Sequence, residues 1–334
     1  MEQIPIHEIP GFYFGQAQDL EAATGCTLIL CPEGAVCGVD VRGGSPGTRD
    51  TDALDPKCNR ESVHGVLLTG GSAYGLDAAG GVMKYLEQKG IGRSVSVTVV
   101  PNVCAAVLFD LKCGRHDVRP DVAMGMEACA NALEGRSLQE GNFGAGTGAT
   151  IGKIRGGQSG MKGGIGACAF RQGDLMVGAV IAVNAMGDVV RDGKILAGAR
   201  KDDGMTFLNS QNYMIENYWK QRDVFSGNVI SGRDNTVIGC VITNAALGKS
   251  QMNKLAGIAQ NGIARAVYPA HSTYDGDTMF AMRLGDVWAD ANAVGALAAL
   301  AAQEAVYRAV EQAGTLHGFP GLKDWQGNFQ LGEN

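Results

Sequence analysis

Asn235-Thr236 joins a polar, Gly-containing stretch (Ser226 to Asn235) to an apolar, β-branched run, Val237-Ile238-Gly239-Cys240-Val241-Ile242-Thr243. The pattern reads as a loop feeding a buried strand, with a hydroxyl at the junction. Were the Asn235–Thr236 bond cut, Thr236 would hold a free α-amine beside its own hydroxyl. An α-amine has a pKa of about 8, so part of it is unprotonated near neutral pH and takes the hydroxyl proton. Nucleophile and base then sit on one residue. The plainer reading is an Asn-Thr turn entering a strand, and the junction taken alone favours it.

Three further features bear on that junction. Asp275-Gly276-Asp277 sets two carboxylates one residue apart in a loop, HSTYDGD, that opens a strand. In extended backbone, residues i and i+2 point to one side, so both carboxylates face one site and raise each other's pKa. Solvated or Ca²⁺-type loop aspartates are the plainer alternative. Beside an N-terminal ammonium, however, the pair would hold and orient the amine. Asn184 is the one polar interruption of the apolar run Leu175 to Ala185. A buried amide needs partners, at a cost of about 1–3 kcal/mol if it lacks them. It either satisfies a neighbouring turn or points a donor at a developing oxyanion. Lys153 supplies a second cation, or is an ordinary solvated lysine.

These residues need elements to place them. Leu175 to Ala185 is apolar throughout and reads as a central strand buried on both faces. Strands are also expected at Cys26–Cys31, Ala35–Val41, Val63–Thr69, Val95–Val100, Val107–Leu111 and Thr278–Met282. The pattern expects helices at about 73–88, 122–133, 250–267 and 290–313. The third carries apolar residues at helical spacing from Met252 to Ala266 and ends at Tyr268-Pro269. Residues 199–235 read as an irregular connector with helical turns around 209–221. Between Gly141 and Gly166 glycine is too dense for a helix, which leaves strands and tight loops: a hairpin, or the floor of a cleft. Gly70-Gly71-Ser72 turns a strand into a helix, but lacks GxGxxG spacing and a following Lys, so phosphate binding is not indicated. With no regular β-α-β alternation and no Gly fingerprint, a layered α/β sandwich fits better than a dinucleotide-binding sheet.

Composition narrows the classes. The 334 residues are 45% hydrophobic and 19% charged, as in a soluble globular protein. A net charge of −6 gives no reason to expect nucleic-acid or membrane binding. The N-terminus has neither a basic nor an apolar region of the kind an export signal carries, so a cytoplasmic protein is expected. Nine cysteines without CxxC pairs or Cys/His ligand spacing read as reduced core thiols, with no metal and no cofactor.

Five segments carry a resemblance: LLTGGSAYGLDAAGGVMKYLEQKG (67–90), GNFGAGTGATIGKIRGG (141–157), VIAVNAMGDV (180–189), NTVIGCVITNA (235–245) and GIARAVYPAHSTYDGDTMFAM (262–282). In order and spacing the chain resembles the self-cleaving aminopeptidases. That family includes the L-aminopeptidase/D-amidase/D-esterase enzymes, the β-peptidyl aminopeptidases and the nylon-oligomer hydrolases. The resemblance implies a four-layer αββα sandwich in one domain, 1–334, cut before a Ser or Thr into two chains that stay together. The cut falls at Asn235–Thr236, leaving 1–235 and 236–334. Thr236 matches the nucleophile, Asp275 and Asp277 the pair that orients it, and Asn184 the oxyanion donor. Lys153 matches a lysine of the nylon-hydrolase branch, towards which Thr with two Asp also tilts the chain. Phe109 falls about where some members carry a Tyr, which puts any role of that hydroxyl in doubt.

By that resemblance the substrate is a short peptide or an ω-amino-acid amide, and the protein a homo-oligomer of processed protomers. Two alternatives stand beside it. One is an acyl transferase of the ornithine-acetyltransferase type, which also cuts itself before Thr. The other is an unprocessed Gly-rich binding protein.

Overall fold

The computed structural model describes residues 1–218 and 235–325. Residues 226–234 of the expected loop, and 219–221 of the expected helical turns, lie outside these. The main strands are β1 (Tyr13–Asp19), β2 (Thr24–Val41), β3 (Val63–Thr69), β4 (Val103–Val107), β5 (Gly164–Gln172), β6 (Leu175–Asn184), β7 (Thr236–Ala245) and β8 (Thr278–Val287). The main helices are α1 (Ala78–Gln88), α2 (Val122–Leu133), α3 (Lys249–Ala266) and α4 (Ala291–Glu311).

Strand β2 serves two sheets. Its first half pairs with β1 and β3, and its second half pairs antiparallel with β8. The register shifts between Leu30 and Ala35. Pro32 has no N–H to give a ladder and Gly34 takes φ +83°, so the chain bends there while the strand continues on either side. Cys26–Cys31 and Ala35–Val41, expected as two strands, are therefore one. The strand order β5-β6-β7-β8-β2-β3-β4 follows. The parallel pairs β3/β4 and β7/β8 need crossovers, which α1 and α3 supply.

Alternate residues of β6 face different layers. Val177, Ala179, Ile181 and Val183 pack beneath α3 and α4. Val180 and Ala182 meet Ile29, Val66, Leu68 and Cys104 of the other sheet, with Ile238, Cys240 and Ile242 of β7 beside them. On the far side Leu28, Leu30, Leu67 and Val103 pack against α1 and α2. Helix, sheet, sheet, helix is a four-layer αββα sandwich. Strands β6 and β7 are buried on both faces, which is why their sequences are apolar throughout. Each such Val, Ile or Leu side chain contributes about 1.5–3 kcal/mol.

Two expected strands fall elsewhere. Val95–Val100 belongs to a short hairpin, Arg93–Val95 with Thr98–Val100. The buried strand is β4, not Val107–Leu111. The Asn102 carbonyl accepts the His64 N–H at 2.8 Å and starts the parallel ladder immediately after Pro101. After Val107 the chain turns, because the Asp110 carboxylate caps the Gly70-Gly71 turn through the Gly71 N–H at 2.7 Å. Among its described residues the connector contains one helix, Ser210–Glu216. Asp290 caps α4, accepting the N–H groups of Asn292 at 2.8 Å and Ala293 at 3.2 Å.

Cys58 is exposed and the other cysteines are buried; all are free thiols. Among the described residues no helix is long and apolar enough to cross a membrane, and no group of three or more His, Cys, Asp or Glu is placed to hold a metal ion.

Candidate active site

Asn184 closes β6 and Thr236 opens β7, and the two are partners across the antiparallel ladder. Opposed residues share a face. Here it is the face that carries Val180, Ala182, Ile238 and Cys240, towards the second sheet. Both residues are buried: Thr236 is 5% exposed and Asn184 fully covered. The strand ends thus set a hydroxyl and an amide side by side at the rim of the inter-sheet core.

In the continuous chain the Thr236 hydroxyl donates to the carbonyl oxygen of Asn235. The same oxygen accepts the Gly276 N–H at 3.0 Å. Two donors on one carbonyl oxygen draw electron density from its carbon, which favours nucleophilic attack there.

The Asp275-Gly276-Asp277 loop lies along this backbone, with Asn235 and Asp275 in a parallel bridge. Asp277 Oδ1 accepts the Val237 N–H at 2.6 Å, and Oδ2 meets His271 Nδ1 at 2.7 Å and accepts the His271 backbone N–H at 3.1 Å. Asp275 Oδ2 accepts the Ser272 N–H at 3.1 Å and the Ser272 hydroxyl. Neither carboxylate bonds the Thr236 hydroxyl; they hold the backbone on either side of it. Burial raises Asp275 to about 6, and the charge of Asp277 adds to the rise. Burial acts to lower His271, but its hydrogen bond to Asp277 and the charge of that carboxylate outweigh this and hold it above its ordinary value.

Lys153 reaches the cluster through Asn184. Its Nζ donates to Asn184 Oδ1 at 2.9 Å and to the Asn184 backbone oxygen at 3.1 Å. The Thr150 N–H donates to the same Oδ1 at 2.9 Å. An ammonium can only donate, so these contacts fix which amide atom is oxygen. Asn184 Nδ2 is thereby directed the other way, and donates to the Phe109 carbonyl at 2.9 Å. Lys153 is 6% exposed, so the solvated alternative does not apply.

The geometry draws Thr236, Asn235, Asn184, Lys153, Asp275 and Asp277 into one neighbourhood. Sequence reasoning missed the residues that support it. His271 and Ser272 were in view only as part of a loop. Ser272 three residues before Asp275 is a recognisable side-chain-to-backbone turn signal; nothing local marks His271 as the partner of Asp277. The 42–45 loop gave no signal of a part in the site. It clasps the aspartate loop: Arg42 N–H donates to Asp277 O at 2.9 Å and Ser45 N–H to Asp275 O at 2.9 Å.

The fold is shared with aminopeptidases of known structure. An L-aminopeptidase D-Ala-esterase/amidase from Ochrobactrum anthropi, described as a variant of the N-terminal nucleophile (Ntn) hydrolase fold, superimposes with a TM-score of 0.69 at 18% identity, over 94% of this chain and 88% of that one. Peptidase family S58 matches residues 5–323, and the chain belongs to that family. An uncharacterized aminopeptidase of Mycobacterium leprae (strain TN) is 39% identical over 287 residues, 81% of this chain and 74% of the relative. A 6-aminohexanoate-oligomer endohydrolase of Paenarthrobacter ureafaciens is 29% identical over 283 residues, 84% of this chain and 75% of the relative. The chain is a hydrolase acting on amide bonds.

Proposed function

We propose that this hydrolase processes itself between Asn235 and Thr236, into 1–235 and 236–334, and then cleaves amide bonds of short peptides or ω-amino-acid oligomers through an acyl-Thr236 intermediate. The observation that carries the reading is the Asn235 carbonyl oxygen, which receives both the Thr236 hydroxyl and the Gly276 N–H.

In processing, Thr236 Oγ1 attacks the Asn235 carbonyl carbon. The C–N bond breaks, the nitrogen takes the hydroxyl proton, and an ester joins Asn235 to Thr236. Water hydrolyses the ester, leaving a carboxylate on Asn235 and restoring the Thr236 hydroxyl beside the amine already freed. In turnover that amine takes the hydroxyl proton as Oγ1 attacks the substrate, and returns it to the leaving amine. Asn184 donates to the oxyanion, a contribution of roughly 3–4 kcal/mol for donors of this kind. Lys153 holds the Asn184 amide in the required orientation. Asp275 and Asp277 hold the strand entry and the new ammonium. The processed protomers assemble as a cytoplasmic homo-oligomer.

Denaturing electrophoresis with N-terminal sequencing tests this. Two bands are expected, the smaller beginning Thr-Val-Ile-Gly, and Thr236→Ala should give one uncut, inactive chain. Normal processing in that variant would falsify the assignment. Faster capture of the acyl group by added glutamate than by water would make the enzyme a transferase.

A further inference from the structure

His271 sits between two acceptors. Its Nδ1 meets Asp277 Oδ2 at 2.7 Å, and its Nε2 meets the Gln260 carbonyl oxygen of α3 at 3.3 Å. A carboxylate and a backbone carbonyl can only accept, so each ring nitrogen must bring a proton. A ring with both protons is an imidazolium. The backbone is set for this contact. His271 takes φ +55°, in the left-handed region that side chains rarely adopt, and its own N–H donates to the same Asp277 Oδ2 at 3.1 Å. The ring is largely covered and Asp277 is buried, so solvent screens their attraction little.

The charge matters because of what Asp277 touches next. Its Oδ1 accepts the Val237 N–H at 2.6 Å, one residue beyond Thr236, and Asp275 lies alongside, bridged to Asn235. Once the Asn235–Thr236 bond is cut, the new amine lies beside these two carboxylates. Unopposed, they would hold it as an ammonium, and an ammonium cannot take the hydroxyl proton. The other cations around the loop reach other partners. Arg42 pairs with Asp40 at 2.8 Å and donates to the Gly257 carbonyl at 2.7 Å, and Lys153 donates to Asn184. His271 is the cation in direct contact with Asp277. Burial opposes its charge, the hydrogen bond and charge of Asp277 outweigh burial, and the charge of Arg42 opposes it again with a smaller effect.

We infer, building on the reading of Thr236 as nucleophile, that His271 is a positioning residue for the reaction: as an imidazolium it offsets Asp277 and so keeps the Thr236 α-amine free to act as base near neutral pH. It acts through Asp277 rather than on the hydroxyl. The imidazolium keeps both its protons throughout; the amine alone takes the Oγ1 proton and returns it to the leaving group. Without the imidazolium charge the amine would stay an ammonium to higher pH, and the acid limb of the rate profile would move up with it.

The test follows acylation of the processed enzyme by p-nitrophenyl acetate, a neutral ester, so that the pH profile reports the protein's own groups. Mass spectrometry locates the acetyl group. His271→Asn keeps a donor for Asp277 and tolerates the left-handed backbone but carries no charge, and His271→Lys restores one. H271N should move the midpoint of the acid limb up by about one pH unit, which is about tenfold in rate on that limb, and H271K should bring it back. A midpoint that H271N leaves in place, or that H271K moves as far as H271N does, overturns the inference, while acetyl on the chain beginning at Thr236 leaves the nucleophile assignment standing. Should H271N fail to fold or to process, the wild-type enzyme decides. Its ¹⁵N-histidine spectrum at about pH 7.5 should show one ring with both protons, a signal that H271K removes, whereas an ordinary histidine, with a pKa of about 6.5, is mostly neutral there. Five neutral rings would overturn the inference. Wild type that takes no acetyl on the Thr236 chain overturns the nucleophile assignment and this inference with it.

Discussion

Asn184 and Thr236 stand directly opposite one another across the β6–β7 ladder, so a single antiparallel register sets the distance between hydroxyl and amide. A shift of one residue would turn every side chain of the strand to its other face, and the apolar core on both faces forbids it. The site inherits its precision from the most buried part of the fold.

Removing the amide tests this pairing. Asn184→Ala should lower kcat by about 10²–10³ with KM changed little, as for other oxyanion donors. Asn184→Asp keeps the size but loses the donor, and should lose as much. N184A also strips partners from Lys153 and the Thr150 N–H, at a cost of about 1–3 kcal/mol. Measured Tm values separate that cost from the kinetic loss, which is read by single-turnover kinetics. Full activity in N184A would remove Asn184 from the chemistry.

Gly276 tests how closely the aspartate loop approaches the junction. A Cβ placed there would stand 2.8 Å from Thr236 Oγ1 and 2.8 Å from the Ser45 carbonyl oxygen. Gly276→Ala must push the hydroxyl or the loop aside, an overpacking cost of about 1–3 kcal/mol. Slower appearance of the two processed bands is expected, with a lower Tm. Processing at the native rate would show that the loop yields to the added Cβ without disturbing the junction.

Asp275 makes a pH-dependent prediction. Its folded pKa lies above the ordinary 3.8, at about 6, chiefly through burial and then through the neighbouring Asp277 charge. The folded state therefore binds this proton more tightly than the unfolded state does. That contribution to stability is whole below about pH 3.8 and is lost as pH rises through about 6. Asparagine cannot ionise, and its Oδ1 can still accept both Ser272 donors. The Tm of Asp275→Asn should gain on wild type between pH 4 and pH 7, by on the order of a few degrees. Asp110 and Asp188 are also raised to about 6, but they are common to both proteins and cancel in the difference. A gap that is flat with pH would place the Asp275 proton elsewhere.

Some of this was legible without coordinates, for local reasons. Asn184 stood out as a polar residue in an apolar run, and Thr236 as a hydroxyl at a loop-to-strand junction. Helix α2 follows from a capping Asp121 and the apolar residues after it. What was not legible depends on contacts between distant parts of the chain. Pro32-Glu33-Gly34 has the composition of a turn, and pairing of the flanking residues with β3 and β8 carries one strand past it. The start of β4 is fixed by His64, 38 residues earlier. His271 acquires its role when the loop curls so that its ring meets Asp277, and the 42–45 loop when it closes over that same turn. Local pattern marks elements and chemical types; tertiary closure decides which loop supports them.

Lys153 allows the division of labour to be measured. Its ammonium contacts two atoms of Asn184, and its proposed task is to orient that amide rather than to touch the neutral part of a substrate. Lys153→Met keeps much of the length and removes the donor, leaving Asn184 Oδ1 with the Thr150 N–H and hydroxyl. With a neutral acyl substrate, K153M should lower kcat by about 10–100-fold, and K153M/N184A should be no slower than N184A alone. Residues that act through one another give such non-additive losses, with coupling energies of about 0.5–3 kcal/mol. Losses that multiply would mean that Lys153 acts on the reacting atoms independently, and the lysine would then belong with Thr236 in the chemistry rather than behind Asn184 in the support.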